Sequence, residues 1–482
     1  MTGIARIIFI IAIVLSTLPG ALAANELTNY GFTSRSTAMA EAVTADVKDV
    51  SALYYNPAGL AEAQTEASAN LGLTINLLQI QLWERDDAFD ISQDAYDGTP
   101  VAPVDASFFP PVATTQNANK RDNTKYNELS TSLILGLTLD PGSETIRFGL
   151  AVFIPLQKTN STTYYPDSRE QHFSNSLTFS TLGQKAPGPI FMMGTGIKLA
   201  RWLKFGATML MYRRNTTHYN ALLASPATDA YSALNVVKKE SQITPGFNLG
   251  LEIDPHEKFG IGLSYRHRMY TGQTLVSAIE TYDYTSETPP PGDARFQADT
   301  GFVTDYNPSD LTLGVRFGNH CPWVFNIDAT WRMWRWYKAT GDGTENDEFH
   351  DVVIPKLSFE YEINGRLDLR LGTAYLVNPV YTQDAETNFV DNDRVKLSLG
   401  LGIDIPWPPN AQLDFHAQLQ FLVPEENAKR TTNMNDEFPE SVNVDTGELL
   451  GDSRIQTNNP GFPGYESRGI IITMGTALSV PF

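Results

Sequence analysis

Between positions 353 and 363 the chain alternates strictly. Val353, Pro355, Leu357, Phe359, Tyr361 and Ile363 lie on one side, and Ile354, Lys356, Ser358, Glu360 and Glu362 on the other. A period of two residues is the mark of a strand with two unlike faces. Asn364-Gly365 follows as a tight-hairpin signal, and Leu367, Leu369, Leu371 and Tyr375 return against Asp368 and Arg370. The pattern recurs with Val395, Leu397, Leu399, Leu401, Ile403 and Ile405, and again with Leu413, Phe415, Ala417, Leu419 and Phe421. The elements predicted over most of the chain are therefore antiparallel strands, and the fold class is all-β.

A sandwich buries its apolar face, whereas a barrel in lipid turns that face outward. Two features favour the barrel. The apolar rows are almost purely aliphatic and aromatic over about 10 residues, the length that crosses a bilayer at a tilt. Connections also alternate between short and long. Short turns are expected at Asp140-Pro141-Gly142-Ser143, Ala200-Arg201, 254–257, 319–322, Asn364-Gly365 and 406–410, with long polar loops near 84–125, 157–187, 215–240, 275–308, 337–352, 378–393 and 423–468. An additional period-two run at Phe173, Asn175, Leu177 and Phe179 would make an odd number of strands. Assigning it to an external loop leaves a closed antiparallel transmembrane barrel of 14 strands, with both ends on the periplasmic side, as single-chain bacterial barrels require.

The amino-terminal segment does not alternate. Arg6, the apolar run at 7–18, Pro19-Gly20 and Ala21-Leu22-Ala23 make residues 1–23 a signal peptide that is removed on export. Residues 24–65 read as short helical turns in a hatch or plug, and 66–482 as the barrel. The last strand carries Ile470, Ile472, Met474, Leu478, Val480 and the terminal Phe482 on one face, so Phe482 is expected to address the barrel-assembly machinery. Trp202 and Trp323 follow short turns and suit a periplasmic aromatic rim. Trp334 and Trp336 have lumen parity and fit either an outer rim or an apolar patch for ligand.

Composition then excludes classes. The formal net charge is −20, which disfavours nucleic acid as a partner, and one cysteine, Cys321, excludes an intramolecular disulfide framework. The seven histidines are scattered, with only His267 and His416 on predicted strands and neither near a serine nucleophile motif. No catalytic set, no metal site and no cofactor are expected.

Three blocks of sequence resemble the FadL/TodX-type (OMPP1) transporters of hydrophobic compounds. They are G-F-T-S-R-S-x-A-M-A from Gly31 followed by S-A-L-Y-Y-N-P-A-G-L from Ser51, N-P-S-D-L-T-L-G-V-R-F from Asn307, and L-R-L-G-T-A-Y-L-V-N-P-V from Leu369. The resemblance implies an outer-membrane barrel of fourteen strands with the hatch inside its lumen. It also implies passive uptake of long-chain fatty acids or aromatic hydrocarbons, with lateral release at a kink in the third strand. The expected partners are the hydrophobic ligand, outer-membrane lipid and lipopolysaccharide, and the chain is expected to be a monomer. A general diffusion porin is the rival reading, although such a pore has little need of a hatch.

The site residues follow from this. Asn56, Pro57, Ala58 and Gly59, with Gly31 and Arg35, form the candidate hatch and gate motif; a plain helix-to-strand connection would also account for Asn56–Gly59. Gly149, in the third strand at 145–156, is the candidate kink, or else a lumen glycine that makes room for the hatch. Loop 3, at 215–240, is unusually apolar, and Leu222, Leu223, Leu234 and Val237 are its candidate capture residues, pictured on a helical pair that offers a groove. Arg147, Arg266, Arg268, Arg316, Arg332, Lys356, Arg370 and Lys396 have lumen parity, and most have acidic neighbours that predict wall salt bridges.

Overall fold

A computed structural model of the chain describes residues 31–83, 124–156, 163–164, 177–179, 189–223, 233–280, 295–318, 322–337, 349–382, 389–406, 411–429 and 464–482. The signal-peptide assignment and Cys321 lie outside these residues.

Two short helices, α1 (Ser34–Ala38) and α2 (Ala52–Tyr55), and a 3-10 helix (Pro57–Glu62) precede the strands. The strands then run β1 (Glu66–Leu82), β2 (Thr124–Leu139), β3 (Ile146–Pro155), β4 (Thr163–Tyr164), β5 (Leu177–Phe179), β6 (Ile190–Ala200) and β7 (Leu203–Leu223). Next come β8 (Ala233–His256), β9 (Phe259–Arg266), β10 (Met269–Glu280), β11 (Arg295–Asn307), β12 (Ser309–Phe317) and β13 (Trp323–Met333). The last are β14 (Val352–Glu362), β15 (Leu367–Leu376), β16 (Phe389–Val390), β17 (Arg394–Ile405), β18 (Ala411–Ala428) and β19 (Gly464–Pro481).

Fourteen of these close into one ring, in the order β1-β19-β18-β17-β15-β14-β13-β12-β9-β8-β7-β6-β3-β2. The seam is β1 against β19, with Ile75 opposite Ile472. The number of strands is the one that turn parity requires. The run at 173–179 contributes β5 to a separate three-stranded sheet with β4 and β16, so it stays out of the ring. β10 and β11 form a two-stranded sheet of their own, where the sequence reads as an ordinary polar loop.

The faces are inverted relative to a water-soluble protein. Leu71, Leu129, Leu313, Leu357, Leu397, Leu399 and Met474 point outward and are 41–50% exposed, whereas Arg316, Asn326, Lys396 and Gln418 are buried in the lumen. A continuous outward apolar surface of this size is stable in hydrocarbon and prone to aggregate in water.

One expectation is corrected. Among its described residues loop 3 is strand and not a helical pair: they extend β7 and β8 as a ladder, with Leu222 opposite Leu234, Leu223 opposite Ala233, and Tyr219 opposite Val237. Alternating apolar residues such as Leu234 and Val236 suit a pleated ladder as well as a helix, and neighbouring strands already in register extend at little entropic cost.

The hatch fills the lumen. Thr33 caps α1 in a reciprocal capping box with Ser36, and Asn56 caps the 3-10 helix by accepting the Ala58 amide at 3.2 Å. Pro57 stands at the first helical position, where its missing amide hydrogen costs nothing. Ala38, Met39, Ala42, Val43, Val47 and Val50 are all buried.

Candidate functional site

The hatch is fastened to the wall by polar ties at several heights. The Arg35 guanidinium spans Asp46 within the hatch at 2.7 Å and Glu360 on β14 at 3.1 Å. Glu41 meets Lys396 on β17 at 2.7 Å, and Glu62 meets Lys204 on β7 at 2.7 Å. Backbone groups join in: the Thr44 amide donates to Asp328 at 2.9 Å, Arg316 donates to the Ala45 carbonyl at 2.6 Å, and Asn248 donates to the Tyr54 carbonyl at 2.9 Å. Buried ion pairs give little net stability after desolvation, but breaking one strands a charge, so they fix position strongly. Burial is the largest influence on Glu62 and opposes its ionisation, yet the charge and hydrogen bond of Lys204, together with the charges of Lys48 and Lys198, outweigh it and hold that carboxyl below its ordinary range.

Asn56 is fully buried. Its amide donates to the Thr44 carbonyl at 2.6 Å and to the Leu251 carbonyl of β8 at 3.2 Å, while its oxygen caps the helix that follows. One side chain thus joins two parts of the hatch to the wall. Pro57 and Ala58 lie against Gly206 of β7 and Gly250 of β8, where any Cβ would strike hatch backbone. Gly196, Gly206 and Gly250 are register partners across β6, β7 and β8, so they form a row that lets the 3-10 helix touch the wall. Gly59 is equally constrained, because a Cβ there would meet the Val47 carbonyl. Gly31, at φ +83°, packs on Thr37 at the head of α1.

Gly149 faces Leu53 and Leu60 of the hatch, with an added Cβ 3.0–3.2 Å from their side chains. Register runs unbroken through it, with Thr138 opposite on β2 and Gly194 opposite on β6, so the described strand has no bulge there. The sequence reading overlooked Glu41, Asp46, Glu62 and Lys204 as ties between hatch and wall. It also overlooked the inward glycine row, although the shared parity of Gly194, Gly196, Gly206 and Gly250 was a visible signal.

Around this hatch the lumen has two unlike sides. On β2, β3, β6 and β7 the buried apolar inward residues are Ile134, Ala151, Phe153, Ile190, Met192 and Leu210, continuous with Leu53 and Leu60 of the hatch, with Thr208 of β7 a polar member of the same wall. On β12 to β18 they are mainly charged or amide-bearing, with Arg370 alone gripping Glu360, Asp368 and Asp414. The apolar side ends toward the short turns on ions: Lys204 with Glu62, Glu252 and Asp254, the last also bonded to Arg316, and Arg147 with Asp140. Ala151 to Ile154 of β3 are buried on both faces of the strand. A second apolar cluster, of Tyr306, Trp334, Phe349 and Phe389, lies across the lumen, with Trp334 stacked on Phe349 at 5.1 Å. Trp336 is exposed, with Arg268 5.3 Å from its ring.

The backbones of Leu222, Leu223, Leu234 and Val237 belong to the loop 3 hairpin, away from the residues that meet the hatch. Among the described residues no group of histidine, cysteine and carboxylate side chains has the arrangement of a metal site.

Known proteins support the same architecture. The sequence profile of the outer membrane protein transport protein family (OMPP1/FadL/TodX) matches residues 11–449. Alkane uptake protein A of Marinobacter nauticus is 22% identical over 422 residues, which cover 81% of each chain. A Pseudomonas aeruginosa FadL homologue superposes with a TM-score of 0.57 at 16% identity, over 96% of this chain and 100% of that one. The ΔS2 mutant of the TodX monoaromatic hydrocarbon channel gives a TM-score of 0.51 at 13% identity, over 94% and 99%. Members of this family are transport channels for hydrophobic compounds, not enzymes. The chain therefore belongs to the OMPP1/FadL/TodX family and is an outer-membrane transporter of hydrophobic compounds.

Proposed function

We propose that the protein takes up long-chain fatty acids or hydrocarbons of similar size passively and releases them sideways, through the wall beside the hatch. The two-sided lumen carries this reading. An apolar molecule on the β2–β7 side touches Phe153, Ile190, Met192 and Leu210, then meets the ion cluster of Lys204, Glu62, Glu252 and Asp254 below. Descent past those ions into the aqueous periplasm gives back roughly 25 cal/mol per Å² of apolar surface, whereas the bilayer interior beside the wall returns none of it. Lateral exit is the downhill route, and no energy source is needed while metabolism keeps the ligand scarce.

Asn56, Pro57, Ala58 and Gly59 set the hatch against β6 to β8 and so define one edge of the opening, while Gly31 and Arg35 steady its other end, Gly31 on Thr37 and Arg35 on Glu360 of β14. Gly149, beside Leu53 and Leu60, lies where β3 and hatch must part. Residues 1–23 are a removed signal, 24–65 the hatch and 66–482 the barrel. The hairpin bearing Leu222, Leu223, Leu234 and Val237 captures ligand from outside, through the lipopolysaccharide layer. Phe482 addresses the assembly machinery, and one chain forms the working unit. The name of the Marinobacter relative supports hydrocarbon as cargo alongside fatty acid, and the TodX likeness keeps aromatic hydrocarbon as the second reading. A general porin is disfavoured by a lumen packed with hatch.

The test is the double substitution Asn56→Ala/Pro57→Ala. Uptake of labelled hexadecane or oleate by intact cells should fall at least severalfold while the barrel keeps its heat-modifiable mobility on gels. Unchanged uptake by a correctly inserted double variant removes the gate role.

A further inference from the structure

Between the hatch and the polar wall lies a small cavity of about 30 Å³, room for the centres of about two water molecules. Its lining includes Glu41 and Tyr54 of the hatch, Arg266 of β9, Asp310 of β12, Arg332 of β13 and Lys356 of β14. Arg332 holds Asp310 through two hydrogen bonds of 2.9 and 3.0 Å, and Arg266 binds the same carboxylate. Arg266 also lies over the Tyr54 ring, 4.2 Å from its centroid. Both oxygens of Asp310 are therefore taken up by the two guanidinium groups, and its one negative charge is shared between two positive ones.

The second carboxylate is shared in the same way. Glu41 contacts Lys396 at 2.7 Å and Lys356 at 3.7 Å. It does so from a left-handed backbone, φ +66°, directly after Ala40 at φ +47°. Non-glycine residues occupy that region only where the surroundings over-determine it, so the packing around it holds Glu41 in place. One further acid is near: Asp328 on β13, opposite Lys356 in register, with its Oδ2 accepting the Thr44 amide. Within the lining itself three cations (Arg266, Arg332 and Lys356) thus face two carboxylates (Asp310 and Glu41), an excess of one positive charge around a cavity in a low-dielectric interior. An uncompensated buried charge is expensive, and a bound counter-ion is the physical remedy.

We infer that this cavity is a binding site for one small monovalent anion, a halide or a carboxylate group, held by Arg266, Arg332 and Lys356. The Thr312 and Thr330 hydroxyls in the same lining lie 2.9 Å apart, so one donates to the other and the pair has one hydroxyl hydrogen left as a neutral donor, while the Ser264 hydroxyl donates to Asn248. The volume admits a chloride, a formate or the two oxygens of a longer carboxylate, but not an alkyl chain. A single anion there joins three wall strands, β9, β13 and β14, beside Tyr54 of the hatch. The site stands whether or not release is sideways. Its occupant is either a free anion from the medium or the head of an amphiphile whose tail lies elsewhere in the lumen.

Crystals of the whole protein grown in halide-free detergent and soaked in bromide provide the test. An anomalous bromide peak within contact distance of Arg266, Arg332 and Lys356 is expected. In solution, chloride or acetate at constant ionic strength, balanced with sulfate, should raise the unfolding temperature saturably. Lys356→Gln, which removes the excess charge, should weaken the half-saturating concentration at least tenfold; Arg147→Gln, outside the cavity, should leave it unchanged. If Lys356→Gln fails to assemble, the bromide peak in the unaltered protein still decides the matter. Displacement of bromide by decanoate at far lower concentration than acetate identifies an amphiphile head, and equal potency identifies a free-anion site. Absence of the bromide peak together with an unfolding temperature indifferent to chloride and acetate overturns the proposal.

Discussion

Met192→Gln isolates the apolar side of the lumen. The side chain is 2% exposed on β6, in one cluster with Phe153, Ile190, Leu210 and the hatch residues Leu53 and Leu60. Glutamine has nearly the same length and volume, so packing changes little while one amide enters an apolar surface. A permeant sliding over position 192 must strip that amide of water with nothing in return, at about 1–3 kcal/mol. At 1.4 kcal/mol per tenfold, uptake through the lane slows by about 5- to 150-fold. The control is Thr74→Val at the β1–β19 seam, outside the apolar cluster, where Thr74 and Thr473 hydroxyls lie 3.4 Å apart and a methyl replaces one of them. Initial rates of hexadecane and oleate uptake, normalised to heat-modifiable barrel in the outer membrane, read the effect. Equal rates for Met192→Gln and the unaltered protein would falsify the lane, as would equal losses for both substitutions.

Three further predictions follow from other parts of the molecule. Gly206→Val places a side chain on the Pro57 backbone, and overpacking of about 1–3 kcal/mol should loosen the hatch, seen as new protease cuts within 31–65 while the barrel stays resistant. Glu62 has a depressed pKa in the folded state, so its contribution is present above the ordinary value of 4.5 and lost as pH falls through the lower folded value. The hatch should therefore become protease-sensitive on acidification in the unaltered protein, and Glu62→Gln should be loosened already at neutral pH with a flatter acid limb. Leu222→Cys/Leu234→Cys should form a disulfide on mild oxidation, because directly opposed residues on an antiparallel ladder have Cα atoms about 4.5–5.5 Å apart and these two are register partners; a helical pair would leave them reduced.

The barrel was legible because its rule is local. Each strand declares its faces through period two, and parity of short and long connections is enough to discard the run at 173–179 from the ring. Lumen assignments of Arg316, Arg370 and Lys396 came from the same parity, and all three are buried inside. Partnerships were not legible. Glu41 and Lys396 are 355 residues apart, and nothing local in either segment declares the other. Loop 3 misled because an apolar surplus specifies burial but not conformation, and the neighbouring ladder decided the outcome. Asn56 was found as a motif, but its dual hold on Thr44 and Leu251 depends on how the hatch folds back on itself.

Sideways release is tested most directly by mapping the path of a photoactivatable permeant. Cells expressing the protein would be given a fatty acid or alkane carrying a terminal diazirine, irradiated during uptake, and the adducts located by mass spectrometry. Adducts on Phe153, Ile190, Met192 and Leu210, continuing to the lipid-facing Phe148 and Leu150 of β3, are the predicted result. Adducts on Lys204, Glu252, Asp254 and Arg316, at the ion cluster below the lane, would contradict it and mark a vertical path to the periplasm.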